Sequence, residues 1–360
     1  MQEPTTIQDL SDLLVSGFSD WRDLGGVYAR PNHDGSLTLF NYTVMCTYRR
    51  RWNWFEKVSR GLILDTRTGE VVARPFDKFF NWGEFDINPE GLPVEIVEKC
   101  DGSLGILYRH EGAYKVSTRR SFDSEQALWA TEFIKRYDLE NLPDNLTLLF
   151  EILYPGNRII VYYEGREDLV LLGVRDRFTG EDWFYPQTQA LAKEFGFSVP
   201  ENLRKMVSLE DLKERAQGLP SSEEGWVCRF RDGTRLKVKG KEYLEIARIA
   251  KKMSDKFIFQ NLAEKGYEET AIMAPEEFRR HVDECWEVFS KVEKRLHDQV
   301  TETLARVSTM KTRKEIAMYL SQNCRHLLSW VMTEYDGRSC RPGIKEHIMK
   351  NYVKYLEEER

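Results

Sequence analysis

The pattern of the chain changes character near Tyr243, and that change constrains the fold more than any single motif. From about Leu24 to Val238, short β-rich runs are separated by turn signals at Asp34-Gly35, Arg67-Thr68-Gly69, Asp101-Gly102, Pro155-Gly156-Asn157 and Asp232-Gly233. Helical patterning interrupts them only at Ser124 to Tyr137, Gln187 to Phe195 and Ser208 to Ala216. Regular strand-helix alternation is missing, and so are GxGxxG and P-loop sequences, which disfavours a doubly wound parallel sheet. Beyond Tyr243, apolar residues recur at helical spacing: Phe278, Val282, Cys285, Phe289, Val292, Leu296, Val300, Leu304 and Val307. Pro275 stands just before the acidic first turn Glu276-Glu277, where a missing N–H costs nothing and negative charge suits the helix dipole. Further helical runs are expected around Lys311 to Met332 and Ile344 to Glu358, with Asp336-Gly337 and Arg341-Pro342-Gly343 marking the break. The expected fold class is α+β. An N-terminal domain over 1–245 is built on antiparallel β-sheets, and an all-α C-terminal domain follows over 246–360.

A length of 360 residues suits two domains, taking roughly 100 to 200 residues for each. Hydrophobic residues at 41% and aromatics at 12% exclude a largely disordered chain. The net charge of -6 argues against a protein that coats nucleic acid through its overall field, yet local fields differ from the average. Between Arg49 and Lys78 stand eight basic residues (Arg49, Arg50, Arg51, Lys57, Arg60, Arg67, Arg74, Lys78) against four acidic ones. Trp52, Trp54 and Phe55 are interleaved with them, the mixture a single-stranded nucleic-acid groove uses; a solvated strand edge is the competing explanation. The six cysteines form no CxxC pair, so neither zinc nor disulfides are expected. No signal peptide and no apolar run of about 18 residues is present, which makes the cytoplasm the default address and a membrane partner unexpected.

The sharpest chemical signal is Glu98-Lys99-Cys100-Asp101-Gly102-Ser103, which puts one amine at the end of an apolar-rich run and before a tight turn. Gly102 there would let a ligand or another backbone approach closely. In Leu236-Lys237-Val238-Lys239, period-two alternation turns both lysines to one face, the arrangement of a phosphate clamp or of an amphipathic edge strand. Glu151 lies inside the apolar run Leu146 to Leu153, and Glu224 enters the run Trp226 to Phe230. A carboxylate in such a run needs a salt bridge or a metal, because burying it alone is costly.

Nucleophilic and phosphate-binding lysines with carboxylates on strands are the parts of covalent nucleotidyl transfer. Over about Tyr42 to Tyr243 the sequence resembles the phage-type RNA ligase 1 family, within the covalent nucleotidyltransferases that also include DNA ligases and capping enzymes. The resemblance rests on Lys99-Cys100-Asp101-Gly102-Ser103 and on two upstream blocks, Ser59-Arg60-Gly61-Leu62-Ile63 and Arg74-Pro75-Phe76-Asp77-Lys78-Phe79-Phe80-Asn81. Phe150-Glu151 with Pro155 to Ile160, then Glu224-Gly225-Trp226-Val227, then Lys237-Val238-Lys239 with Tyr243 behind it, complete the motifs in the family's order. One departure is Ser117-Thr118-Arg119-Arg120-Ser121 in place of a small, lysine-containing turn: Arg119 keeps the charge as a planar fork, and Arg120 adds bulk.

The resemblance implies an ATP-dependent RNA ligase that carries AMP covalently on Lys99 and acts on RNA with 5′-phosphate and 3′-OH ends. Transfer RNA broken in the anticodon loop is one known kind of target. It implies catalytic Lys99, Lys237 and Lys239; a nucleotide site with Arg60, Lys78, Asp101, Gly102, Glu151, Val227 and the same Lys237 and Lys239; and Mg2+ or Mn2+ on Glu224. Val227 would sandwich adenine with an apolar residue from Leu169 to Val174, against ordinary core packing as the alternative. Tyr42, Arg119 and Tyr243 would touch RNA or phosphate, and any end-healing kinase and phosphatase would be separate polypeptides. Lys99 must attack as a neutral amine, so Lys237, Lys239 and the metal are expected to lower its pKa by about two to three units from 10.4. The helical C-terminal third separates this reading from DNA ligases and capping enzymes, which place a β-barrel module there. A non-catalytic RNA-binding protein on the same core would be expected to have lost Lys99, Glu224 or Lys237, and all three are present.

Overall fold

A computed structural model describes residues 3–49, 52–203, 207–274 and 276–359. The chain divides into two compact units, Met1–Leu244 and Glu245–Arg360.

Among the described residues the first unit has twelve strands. They are β1 (Val27–Pro31), β2 (Leu37–Tyr42), β3 (Arg60–Asp65), β4 (Val71–Ala73), β5 (Phe80–Asn81) and β6 (Glu95–Glu98). The others are β7 (Ser103–His110), β8 (Ala113–Thr118), β9 (Leu146–Leu153), β10 (Asp168–Asp176), β11 (Gly225–Arg229) and β12 (Arg235–Lys239). These form three four-stranded sheets, ordered β1-β2-β3-β4, β5-β12-β11-β6 and β10-β9-β7-β8. Every pairing is antiparallel except the short one between β5 and β12.

The helices cover the sheets with the apolar stripes their sequences carry. Glu125–Ile134 and Tyr185–Phe195 pack Ala130, Phe133, Ile134 and Leu191 against Leu148, Phe150 and Leu171 of the third sheet. Leu209–Gln217 lays Leu212 and Ala216 on Trp226, Leu236 and Val238 of the second. An N-terminal helix, Ile7–Val15, lies ahead of the β-rich region and has a capping box from Thr6 and Asp9. Its Leu10 and Leu14 join Trp21, Phe40, Phe55 and Leu62 in the core of the first sheet. Each fully buried Leu or Phe of this kind contributes roughly 1.5–3 kcal/mol.

The second unit is helical. Its long helix Glu276–Val307 buries Val282, Cys285, Phe289, Val292, Leu296, Val300 and Val307, with Leu304 half-buried; the side chain of Phe278, and Pro275, lie outside the described residues. The run after Lys311 divides into Arg313–Asn323 and Leu328–Tyr335, and the last into Arg341–Lys350 and Tyr352–Glu359. Arg341-Pro342-Gly343 is not a break but the first turn of a helix, where a proline leaves no hydrogen bond unmade. A Cβ on Gly343 would sit 3.1 Å from the Trp330 indole nitrogen. Among the described residues no helix is long and apolar enough to cross a membrane.

Candidate active site

Lys99 occupies the crossing from one sheet to another. β6 is an edge of the second sheet and β7 an inner strand of the third, so Lys99 to Gly102 is a bridge between sheets and not the tip of a hairpin. The bridge is fixed along its length. The Lys99 N–H donates to the Gly225 carbonyl at 2.8 Å. Asp101, 3% exposed, accepts from the Ile160 and Val161 N–H groups at 2.8 and 2.9 Å on Oδ2, and from the Tyr243 hydroxyl at 2.8 Å on Oδ1. Its own N–H donates to the Tyr163 phenolic oxygen at 2.8 Å. The Gly102 N–H donates to Glu151 Oε1 at 2.8 Å, and a Cβ on Gly102 would lie 2.5 Å from the Ile152 carbonyl oxygen. Gly102 is required by this close approach of another backbone.

The two lysines of β12 share a face, as alternation requires, but have different surroundings. Leu236 and Val238 are buried on the other side. Lys239 Nζ lies 2.7 Å from Glu224 Oε1, while Lys99 Nζ lies 2.7 Å from Glu224 Oε2. Glu224 is 3% exposed, so one buried carboxylate bridges two amines. Among the described residues no carboxylate pairs with Lys237; its Nζ stands 4.5 Å from the centre of the Phe79 ring.

The protein groups alone do not give Lys99 the lowered pKa expected of it with a metal bound. Burial is the strongest single influence and favours the neutral amine, but Glu224, Glu151 and Asp101 together outweigh it and raise the pKa of Lys99. Lys237 is the lysine held well below its ordinary value, by burial first and then by Arg60, Lys78, Lys99 and Lys239. Burial likewise pushes Arg60 down to about 10, with Arg119 adding to it. Lys78 is pushed down to about 8 by burial, with Arg60 and Arg119 assisting against Glu84. Arg60, Lys78, Arg119 and Lys237 therefore make one cationic cluster in which burial and mutual repulsion outweigh the nearby carboxylates Glu84, Glu151 and Asp77. Glu151 is pushed up to about 7, by burial first and by Glu224.

Lys99 and three of these cations, Arg60, Arg119 and Lys237, open on a cleft of about 590 Å³ between the second and third sheets. Arg60, Lys99, Gly102, Arg119, Glu151, Val227 and Lys237 line it, and Leu172 with Gly173 of β10 faces the same space as Val227. Other expected site residues stand behind the wall. Asp101 is wholly engaged by protein groups, and Tyr243, 4% exposed, is one of them, so neither is free for a nucleotide or RNA. Lys239 and Glu224 hold each other. Lys78 Nζ donates to the Phe79 carbonyl at 3.0 Å and sits 4.3 Å from the centre of the Phe80 ring. Tyr42, 8% exposed, accepts a hydrogen bond from Arg119, whose guanidinium lies over its ring.

The basic, aromatic run Arg49 to Lys78 does not make one RNA-facing strip. Phe55 is fully buried and Trp54 packs beside it in the core of the first sheet. Arg50 and Arg51 lie outside the described residues. Trp52 alone of these rings meets the cluster, against Tyr42, Phe80 and Lys78.

Several cleft residues escaped the sequence reading. Phe79 lies under both Arg60 and Lys237, and it belonged to the recognised upstream block without a role of its own. Arg229 and Arg235 face each other across the β11-β12 register and also line the cleft. Period two extended from Val227 to 229 and from Lys237 to 235 was the signal that placed them there.

A family model described as RNA ligase, of the T4 type 1 branch, matches residues 58–265. The chain belongs to the phage-type RNA ligase 1 family. An RNA ligase of Rhodothermus phage RM378 is 25% identical over 408 aligned positions, covering 90% of this chain and 89% of that protein. A "Putative RNA ligase" of Thermovibrio ammonificans is 31% identical over 180 residues, 47% of this chain and 46% of that protein. A "Putative bifunctional polynucleotide kinase/RNA ligase" of Autographa californica nuclear polyhedrosis virus is 31% identical over 216 residues, 52% of this chain and 30% of that protein. The matched part thus spans about half the length of the Thermovibrio relative and less than a third of the viral one. A solved structure of a Naegleria gruberi RNA ligase with PPi gives a TM-score of 0.37 at 23% identity, covering 44% of this chain and 52% of that one. In this RNA ligase family member the matched residues include Arg60, Lys78, Lys99, Glu151, Glu224, Lys237, Lys239 and Tyr243, while Tyr42 precedes them.

Proposed function

We propose that this protein is an ATP-dependent RNA ligase that joins RNA 3′-OH and 5′-phosphate ends through AMP carried on Lys99. The observation that carries the reading is the Lys99 amine in the wall of a cleft that Arg60, Arg119 and Lys237 also line, with Lys237 held well below its ordinary pKa by burial and by the neighbouring cations. A triphosphate supplies charge of the opposite sign.

In the first step the Lys99 ammonium gives up protons to solvent as Nζ forms a bond to the α-phosphorus of ATP, the bond from that phosphorus to the β-phosphate oxygen breaks, and pyrophosphate leaves. Arg60 and Lys237, paired over Phe79, are placed to hold the phosphates, with Lys78 and Arg119 adding to the field. In the second step an oxygen of the RNA 5′-phosphate takes the AMP and the P–N bond breaks. In the third, an RNA 3′-hydroxyl attacks the activated phosphorus and AMP leaves, giving a 3′-5′ phosphodiester. Glu151 and Gly102 shape the wall next to the nucleophile, and Val227 with Leu172 bounds the space for adenine. Arg119, seated on Tyr42, contacts phosphate or RNA; Tyr243 acts through Asp101 as a positioning residue.

The Glu224 carboxylate would hold a divalent cation in place of one of the two amines now on its oxygens, since hard cations prefer oxygen and Mg2+ is commonly held by one carboxylate together with substrate phosphates. Held there, Mg2+ or Mn2+ would offset the charge growing on the α-phosphate and oppose protonation of Lys99. Residues 1–245 would be the adenylyltransferase domain, and the helices of 246–360 would select the RNA. Repair of broken transfer RNA in the cytoplasm is the role we assign, supported by the family resemblance. The viral relative's name couples a polynucleotide kinase to an RNA ligase, and here that healing step would fall to separate proteins.

ATP labelled at the α-phosphate, with Mg2+, tests the reading. Wild type should retain label through denaturing electrophoresis and Lys99→Ala should not. A folded, AMP-free wild type that takes no label overturns it.

A further inference from the structure

Asp101, two residues beyond Lys99, grips a surface turn. Its Oδ2 takes the N–H groups of Ile160 and Val161, whose side chains are buried at 5% and 4% exposed. The turn is also pinned before and after that grip. Asn157 donates to the Ile152 carbonyl at 2.7 Å and accepts from the Ser103 hydroxyl at 2.9 Å, and the Tyr163 oxygen accepts from the Asp101 N–H. On this fixed backbone the neighbouring side chains point the other way. Ile159 is 47% exposed and Tyr162 61% exposed. The Arg158 guanidinium stands 5.1 Å from the centre of the Tyr162 ring.

A single exposed apolar side chain is ordinary. Here an aliphatic face, a flat ring and a guanidinium share one turn whose backbone is tied to the residue that positions the nucleophile's bridge. Flat apolar surface next to a cation is what a single-stranded nucleic acid uses, the ring for a base and the guanidinium for its phosphate. We propose that Arg158, Ile159 and Tyr162 form a stacking platform for a single-stranded RNA nucleotide flanking the end that reacts at Lys99. The inference rests on the RNA ligase reading. The platform reads no base edge, so it favours single strands without a sequence preference.

The full-length protein tests this with two measurements, AMP loading of Lys99 from ATP and joining of an adenylylated RNA to a 3′-OH oligonucleotide. Tyr162→Ala should leave AMP loading unchanged and raise the KM for RNA about tenfold, the range of one lost stacking contact. Tyr162→Phe should behave as wild type. Arg158→Ala should weaken joining and flatten its salt dependence. If Tyr162→Ala joins RNA at the wild-type KM, the platform is overturned and the turn is left for a protein partner. If Tyr162→Ala and Tyr162→Phe lose AMP loading together, the turn is structural and the platform is again overturned. A wild type that loads AMP but joins no RNA overturns the ligase reading itself, and the platform with it.

Discussion

Glu224 holds Lys99 through one carboxylate oxygen at 2.7 Å while its other oxygen is taken by Lys239. The nucleophile of the proposed reaction thus rests as half of a buried ion pair, protonated. Such a pair is expensive to break from one side only, typically about 3–5 kcal/mol, because the remaining charge stays buried.

Glu224→Gln removes the charge and keeps the shape. Lys99 then loses an influence that raises its pKa, and its reactivity toward an amine-acylating reagent should begin at a lower pH than in wild type. AMP loading should fall by about 10²-fold or more, because the carboxylate proposed to hold the divalent cation is gone. A midpoint for Lys99 acylation that does not move, or moves up, contradicts the assigned balance of charges.

Lys78 gives the site a dependence on pH. It is pushed down to about 8, so in the free protein it is a cation below that pH and neutral above it. The KM for ATP should rise as pH passes 8, toward roughly tenfold per unit if the charged form is needed for the phosphates. Lys78→Arg, charged throughout, should remove most of that slope. Folding carries the matching sign: between about 8 and 10.5 the folded state binds fewer protons than the unfolded one, so stability rises with pH across that window. Thermal unfolding of Lys78→Met should lack this rise.

Much of the site could be read from local pattern because local pattern decides it. Lys237 and Lys239 share a face because strands alternate, and the helix at Glu276–Val307 follows its apolar stripe. The difference between the two lysines could not be read, since it depends on Glu224, which enters β11 where Gly225 pairs with Lys239. Phe55 was misjudged for the same reason. An aromatic ring in a basic run looks alike whether it meets RNA or a core, and packing against Trp21 and Phe40 decides. The Ile7–Val15 helix went unread: it is short, and its stability comes from a sheet that begins later in the chain.

Gly102→Ala tests the backbone approach directly. The added methyl would meet the Ile152 carbonyl oxygen at 2.5 Å, with Leu153 and Glu151 side-chain carbons at 2.8 and 3.1 Å. A carbonyl on an inner strand cannot swing aside, so the bridge carrying Lys99 must move. We expect AMP loading to fall by about 10²-fold, as a displacement near 1 Å costs in positioned chemistry, with a loss of stability of about 1–3 kcal/mol from overpacking. Unchanged loading would show that the bridge has slack the hydrogen bonds do not suggest.

Glu151 separates stability from function. It is 8% exposed and pushed up to about 7, so between about 4.5 and 7 the folded state holds more protons than the unfolded one. Stability contributed by this group therefore falls as pH rises through that window, and the full penalty is present above 7. Glu151→Gln keeps an oxygen for the Gly102 N–H and removes the charge. It should unfold at a higher temperature than wild type at pH 8, by the equivalent of about 1–3 kcal/mol, and show little difference at pH 4.5. AMP loading should drop about 10- to 100-fold if the carboxylate holds the ribose, the range for a lost hydrogen bond to a charged group. The two readouts move in opposite directions only for a carboxylate kept at a cost to folding for the sake of its ligand. A variant less stable than wild type at both pH values would instead make Glu151 a structural partner of the Lys99 bridge.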